Sequence, residues 1–309
     1  MGKIKTMIRL LKSDRKKVRK AFVRSIAGSK VSHIISDKAF LKMQYKAEIG
    51  KKLNIKNPRS FNEKLQWLKL YGRSPEQRRL VDKYDVKGYV SEVLGEEYVI
   101  KTLGVWERFD DIDFDKLPNE FVLKCTHDSG SVMLCRDKSA FDIEAAREKL
   151  SRKLKSDLFW HGREWPYKGL KHRIIAEEFL VDSRTNELRD YKFFCFGGKV
   201  KCFKVDFDRF ISHKANYFDT NGNILPIGEV VCPPDPSREI EMPINLDKMV
   251  EMAEKLSVGY PFMRVDFYEV DGRIYFGEMT FFPASGFGPF TDEEWDNTLG
   301  DWIQLPAKN

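Results

Sequence analysis

The chain has 309 residues, 42% hydrophobic and 13% aromatic, a composition that excludes a disordered protein and supplies a core large enough for two sub-domains. Its net charge of +7 is uneven: residues 1–52 carry sixteen Lys and Arg against Asp14, Asp37 and Glu48, a net of +13, so residues 53–309 sum to −6 and a nucleic-acid groove in the body is not expected. No apolar run is long enough to span a bilayer, and the five cysteines, odd in number and without a CxxC pair, read as reduced core residues of a cytoplasmic protein, not as a disulfide framework or zinc site.

In chain order, Ile4, Met7, Ile8 and Leu11 recur at three- and four-residue steps, and Val18, Phe22 and Ile26 continue at fours. This predicts a basic amphipathic helical segment over residues 1–52, without the apolar core of a signal peptide. Such a segment can dock on the body, stay solvated, or lie peripherally on the anionic inner face of a membrane. NPRSFNEKLQWLKLY (57–71) predicts a helix capped by Ser60 with Glu63 three residues on, and PEQRRLVDKYDVKGYVSEVLG (75–95) another, stopped by Gly95. EYVIKTLGVW reads as strand and turn, EFVLKCTHDSGSVMLCRD (120–137) as strand, Gly/Ser turn and strand, and DIEAAREKLSRKLKSD as an amphipathic helix. RIIAEEFLV (173–181) is a strand, RDYKFFCFGGKVKCFKVDFD (189–208) a hairpin around Gly197-Gly198, and LDKMVEMAEKLSVG (246–259) a helix. Helices alternating with mostly antiparallel strands make the class α+β, or mixed α/β.

The stretch MRVDFYEVDGRIYFGEMTFFPASG (263–286) sets two carboxylates in strands that are otherwise aromatic and aliphatic. Period two puts Arg264, Asp266 and Tyr268 on one face, and Glu278 and Thr280 on a face with Phe276. A two-residue loop at Asp271-Gly272 would separate Asp266 from Glu278, whereas a three-residue loop would join them; we expect the latter, with Arg264 beside both. Converging carboxylates suit Mg²⁺, which keeps water and phosphate oxygens as its other ligands, and Arg264 is a fork that fits phosphate. The plainer alternative is an Arg–Asp ion pair with Glu278 at a solvated edge.

Lys124 sits at a strand end before the small turn Ser129-Gly130-Ser131, whose backbone N–H groups can cradle phosphates; small turns also join ordinary hairpins. Lys83 and Lys87, one helical turn apart, are phosphate donors or an exposed face. IIAEEFL places acids at an apolar strand end, suited to an adenine edge or to a plain turn.

In order and spacing these pieces resemble the ATP-grasp enzymes, whose members include D-alanine–D-alanine ligase. The resemblance implies ATP and Mg²⁺, and two α+β sub-domains gripping the nucleotide. It divides the chain into the basic segment 1–52, a preceding region 53–112, a lid sub-domain 113–181 and a catalytic sub-domain 182–309. Lys83 and Lys124 would meet the phosphates with the Ser129–Ser131 turn; Glu177, with Glu178 and Leu180 through backbone, would read adenine; Asp190 would lie near the ribose. Lys192 and Arg264 would act on the transferred phosphate, Asp266, Glu278 and Thr280 on Mg²⁺, and Ser285 and Gly286 near the acceptor. Thr280 stands where the family commonly has Asn, and a hydroxyl is a poorer metal ligand than an amide oxygen.

PRSFNEKLQWLKLY, LVDKY and VDFYEVDGRIYFGEMTFFPASGF look most like the TupA-like branch, associated with teichuronopeptide and other surface-polysaccharide synthesis. The resemblance implies a C–N ligase that joins an amine to a carboxylate, such as a uronic acid unit of a saccharide, through an acyl phosphate. The rivals are a glycosyltransferase using Asp206 and Asp208 as a DxD pair, which strand period would otherwise turn to solvent, and a sugar kinase. His127 reads as an exposed loop residue, and Trp160, His161 and Trp165 as packing residues rather than a sugar platform.

Overall fold

The computed structural model describes residues 17–183, 188–208 and 211–308; the apolar positions Ile4, Met7, Ile8 and Leu11 lie outside them. Helix α1 occupies residues 17–27 and is followed by α2 (Asp37–Glu48) and α3 (Phe61–Tyr71). The Ser60 hydroxyl caps α3 by accepting from Glu63 N at 3.3 Å. Glu63 turns back to accept from the N–H groups of Asn54 and Arg59, so the acid closes the preceding loop instead of completing a capping box.

The helix expected over 75–95 is two helices, α4 (Glu76–Val81) and α5 (Asp85–Val93). Asp82 breaks it: its Oδ1 accepts from Tyr84 N and Asp85 N and from Arg173. A carboxylate that binds its own downstream N–H groups competes with helix continuation. Lys83 therefore stands in the break, not on a helix face.

Strands β1 (Thr102–Trp106), β2 (Phe121–Cys125), β3 (Met133–Cys135) and β4 (Ile174–Glu178) form an antiparallel sheet in the order β1-β4-β2-β3. Helix α6 (Ile143–Leu154) and short α7 (Phe159–Gly162) lie between β3 and β4 in sequence. Phe121, Leu123, Cys125, Ile174 and Ala176 pack with Ala146 and Leu150 of α6. The alternation of β2 leaves Val122 and Lys124 half-buried on the opposite face.

Strands β5 (Asp190–Phe196), β6 (Lys199–Phe207), β7 (Lys214–Phe218), β8 (Ile224–Leu225), β9 (Phe262–Val270) and β10 (Arg273–Thr280) form a six-stranded sheet in the order β10-β9-β5-β6-β7-β8. Its core face carries Phe193, Phe203, Val265 and Phe267 against Met249, Met252 and Leu256 of α8 (Leu246–Ser257). The other face is charged over β5, β6, β9 and β10, then aromatic, where Phe262 packs on Phe61 of α3 at 4.9 Å. Helix α9 (Glu293–Trp302) packs on α3. The fold is the expected α+β class; no described helix is long and apolar enough to cross a membrane.

Helix α1 docks by Val23 and Ala27, 1% and 5% exposed, and by ion pairs from Lys20 and Arg24 to Glu48. Val18 and Phe22 of the expected stripe face outward instead, at 68% and 62% exposure.

Candidate active site

The β9–β10 hairpin carries the two carboxylates. Its loop is Asp271-Gly272, with Val270 paired to Arg273 and both loop residues at positive φ (49° and 76°). This is the two-residue turn, not the three-residue loop expected. That turn alone would have put Asp266 and Glu278 on opposite faces. A bulge at Gly277 restores the register, and Glu278 pairs directly with Asp266. The two-residue turn sets Phe276 on the core face opposite Phe267, and the bulge after it moves Glu278 and Thr280 to the other face. A Cβ at Gly277 would sit 3.0 Å from Asp266 O and 3.2 Å from the Tyr268 ring.

Arg264 binds both carboxylates: Nε and Nη2 donate to Asp266 Oδ1 and Oδ2 at 2.7 Å each, and Nη2 donates to Glu278 Oε1 at 2.8 Å. Thr280 Oγ1 donates to the same Glu278 oxygen at 3.3 Å. Lys192, on β5 opposite Asp266, approaches Asp190, Asp266 and Asp206 at 2.7, 3.3 and 3.4 Å. Burial disfavours its ammonium, but Asp266 and Asp190 outweigh that and raise its pKa. Burial raises the Asp266 carboxyl against the pull of Arg264 and Lys192. Glu278 goes the other way: burial opposes ionisation, but Arg264, Lys83 and Lys192 hold it below the usual carboxylate range.

These donors fit a hard divalent cation. The Glu278 side chain is 44% exposed, and its Oε2 takes no hydrogen bond among the described residues. A carboxylate offers about four lone-pair positions, and Arg264 and Lys192 occupy three of them on the buried Asp266.

From the break between α4 and α5, Lys83 donates to Asp128 O, and its charge is felt by Glu278 and Lys124; burial lowers its pKa. Lys124 and Lys87 both pair with Glu177, at 2.5 and 2.8 Å. Burial of Glu177 opposes ionisation, but the two lysines hold its carboxyl low. Glu177 thus joins two cations and is 4% exposed. Glu178 is exposed with its N–H donating to Lys101 O, and Leu180 follows, half-buried, beyond the strand end. Asp190 is 7% exposed beside Lys192.

In the β2–β3 turn, Ser129 and Gly130 are exposed, and Gly130 has φ +82° with open space around it. The Ser131 hydroxyl is internal: it donates to Asp128 Oδ1 and accepts from Cys125 N, pinning the turn. His127 is 1% exposed and stacks on His172 at 3.8 Å, not exposed as expected. The DxD pair is split: Asp206 is 7% exposed beside Lys192, whereas Asp208 lies exposed past the strand end at φ 51°.

On the acceptor side, Ala284, Ser285 and Gly286 are successive left-handed residues (φ 47°, 52° and 59°). Such backbone is costly outside glycine and needs support from its surroundings. Lys69, fully buried on α3, donates to Ser285 O and Gly162 O at 2.7 Å each, and Gln66 donates to Gly286 O at 2.6 Å. The Ser285 hydroxyl donates to Glu164. Burial lowers Lys69 to about 7 and raises Glu164, each partly offset by the other. Tyr167 lies within reach of the charges of Glu164, Glu278, Arg264 and Asp128, and burial drives its hydroxyl well up.

Sequence reasoning missed Lys69, Glu164 and Tyr167. The last two adjoin Trp160, which stacks on His33, and Trp165, which lies against Arg73 and Arg78. Both tryptophans are half-buried and pack against these side chains, as expected, whereas His161 is exposed.

The family described as TupA-like ATPgrasp matches residues 63–304. Among solved structures the chain is similar to D-alanine–D-alanine ligase from Bacillus anthracis complexed with ATP, at 15% identity over 63% of this chain and 52% of that one, TM-score 0.35. It is also similar to an L-amino acid ligase from Bacillus licheniformis, at 16% over 65% and 43%, TM-score 0.37. A third is the RimK domain protein ATP-grasp from Sphaerobacter thermophilus, at 14% over 75% and 70%, TM-score 0.40. The chain thus spans about half the length of the two ligases. No curated protein matches.

Proposed function

The chain belongs to the TupA-like ATP-grasp family, and on that premise we propose that it is an ATP-dependent carboxylate–amine ligase. Its substrates would be a uronic-acid-type carboxylate of a bacterial surface polysaccharide and an amino acid or small amine, joined through an acyl phosphate. The observation that carries the reading is Asp266 facing Glu278 across β9–β10, bridged by Arg264 and flanked by Lys192 and Lys83.

In this reading Asp266 and Glu278, with Thr280 beside them, hold Mg²⁺, which supplies charge neutralisation for the ATP phosphates. Lys124 approaches those phosphates from the first sheet and Lys83 from the break between α4 and α5. Glu177 keeps Lys124 in place by pairing with it, and the backbone after β4 is left to meet adenine. Arg264 and Lys192 balance charge on the phosphoryl group as the substrate carboxylate attacks it. The Ala284–Gly286 turn, held by Lys69 and Gln66, presents the acceptor. The exposed Ser129-Gly130 turn covers the site, because water would hydrolyse an acyl phosphate.

The test is ATP consumption with uronic acids or their lipid-linked oligomers, paired with amino acids and small amines. A ligase releases ADP and phosphate only when a carboxylate is present, and hydroxylamine intercepts the intermediate as a hydroxamate. ADP without hydroxamate would point to a kinase. UDP release from a UDP-sugar without ATP would overturn the reading in favour of a glycosyltransferase. We also propose that the enzyme is cytoplasmic and meets the inner membrane face peripherally through the basic segment, on the strength of the outward Val18 and Phe22.

A further inference from the structure

Asp206, His213 and Cys232 come from three separate places in the six-stranded sheet region. Asp206 is near the end of β6, paired with Ala215 of β7. His213 immediately precedes β7, and Cys232 lies in the loop after β8. Asp206 and Cys232 are both 7% exposed, whereas the His213 side chain is 38% exposed. Cys232 Sγ lies 3.4 Å from His213 Nδ1 and 3.7 Å from Nε2, and Nε2 lies 3.3 Å from Asp206 Oδ1. One ligand atom from each residue falls within 4.8 Å of the other two.

We propose that these three side chains form a metal site, separate from the Asp266–Glu278 pair, for a zinc-class divalent cation. The Nε2–Oδ1 and Nε2–Sγ separations suit it once the half-exposed His213 ring turns its Nε2 lone pair toward Sγ, which lies close to both ring nitrogens. Zinc bonds of about 2.3 Å to sulfur and about 2.0–2.1 Å to nitrogen and oxygen, in a tetrahedron, imply edges of roughly 3.3–3.6 Å. The donor set selects against Mg²⁺: a thiolate and an imidazole are soft or borderline ligands, and Mg²⁺ takes oxygen. Three protein ligands leave a fourth position for water or a small ligand.

The surrounding charge does not forbid a dication. Lys192 and Lys204 approach Asp206 at 3.4 and 3.6 Å. Each also has a carboxylate of its own, Asp190 at 2.7 Å and Glu229 at 3.1 Å. A bound ion would tie the β7 entrance and the loop after β8 to the charged face of β6, where Lys192 links Asp206 to Asp266. No CxxC or HxxxH spacing announced the site, because six and eighteen residues separate its members: the β6–β7 pairing brings Asp206 to His213, and contacts of Asp235 with Lys214 and Asn216 bring in the loop of Cys232.

Cobalt titration of the full chain tests the site. One equivalent of Co²⁺ per chain should give intense tetrahedral visible bands and a near-ultraviolet thiolate-to-cobalt band, beside any weakly coloured ion at Asp266 and Glu278. Zn²⁺ should displace it, and the thermal midpoint should rise with Zn²⁺. Cys232→Ser should lose the thiolate band. His213→Asn, at a half-exposed position where folding is not at stake, should lose the tetrahedral bands. The other cysteines are 0–1% exposed, so they are poor alternative sources of the thiolate band. Cobalt held only at Asp266 and Glu278 would show weak bands without sulfur character. That spectrum in the wild type would overturn the proposal, as would a thiolate band that survives in Cys232→Ser. Neither readout depends on ligase turnover, so a failed ligase assay leaves this test intact.

Discussion

Arg264 gives the two acidic residues of the site different energetic positions. Asp266 is 1% exposed and holds a bidentate pair with the guanidinium plus a contact from Lys192. Asp266→Asn leaves two buried cations short of charge and should cost about 3–5 kcal/mol of stability as well as turnover. Glu278 is 44% exposed, so Glu278→Gln should change stability by about 1 kcal/mol or less, yet slow ATP-dependent hydroxamate formation by at least about a hundredfold. Thr280→Ala should do much less. Thermal midpoints and turnover at saturating Mg²⁺ and ATP separate the cases, and wild-type turnover in Glu278→Gln would sink the metal assignment. Arg264, Asp266 and Glu278 were readable because a carboxylate inside an aromatic strand is expensive and so conspicuous. Lys69 was not: on α3 it has the spacing of a surface lysine, and only the tertiary packing of Ser285 and Gly162 around it makes it buried.

At the scale of one hairpin, the convergence of Asp266 and Glu278 was expected for the wrong reason. The alternation of apolar residues specifies faces within each strand, but a single bulge moves every later side chain to the other face. Nothing in YFGEM marks Gly277 as a bulge until the Val270–Arg273 pairing is known. Gly277→Val places a branched side chain against Asp266 O and the Tyr268 ring; it should cost about 1–3 kcal/mol by overpacking and most of the turnover. Deleting Gly277 should be milder, because an unbulged hairpin on the same two-residue turn again puts Glu278 opposite Asp266. Turnover and thermal midpoint of both variants check this; a deletion as inactive as Gly277→Val would mean that the bulge does more than set register. The α4–α5 break was hidden in the same way: LVDKYDVK has helical spacing throughout, and the Asp82 carboxylate overrides it.

Over the whole molecule, positive charge is concentrated at the N-terminal end, and four exposed apolar side chains accompany it there. The periodicity there announced a helix but not which face docks, because Val18–Phe22 and Val23–Ala27 are both apolar at four-residue steps. Packing settles it: Val23 and Ala27 go inward, and Glu48 neutralises Lys20 and Arg24. What faces out is Val18 and Phe22, with Val31 and Ile34 beyond α1 at 54% and 85% exposure. They sit in a segment of net +13 attached to a body of −6. A basic surface with apolar tips gains about 1 kcal/mol per Lys or Arg near an anionic bilayer, plus burial of the tips. The chain should therefore co-sediment with phosphatidylglycerol vesicles and not with phosphatidylcholine, and should release as salt rises. Val18→Ser with Phe22→Ser should weaken capture about tenfold or more without lowering the thermal midpoint, since neither side chain supports the fold. Equal recovery on neutral and anionic vesicles, or unchanged capture by the double variant, would assign the segment to docking alone.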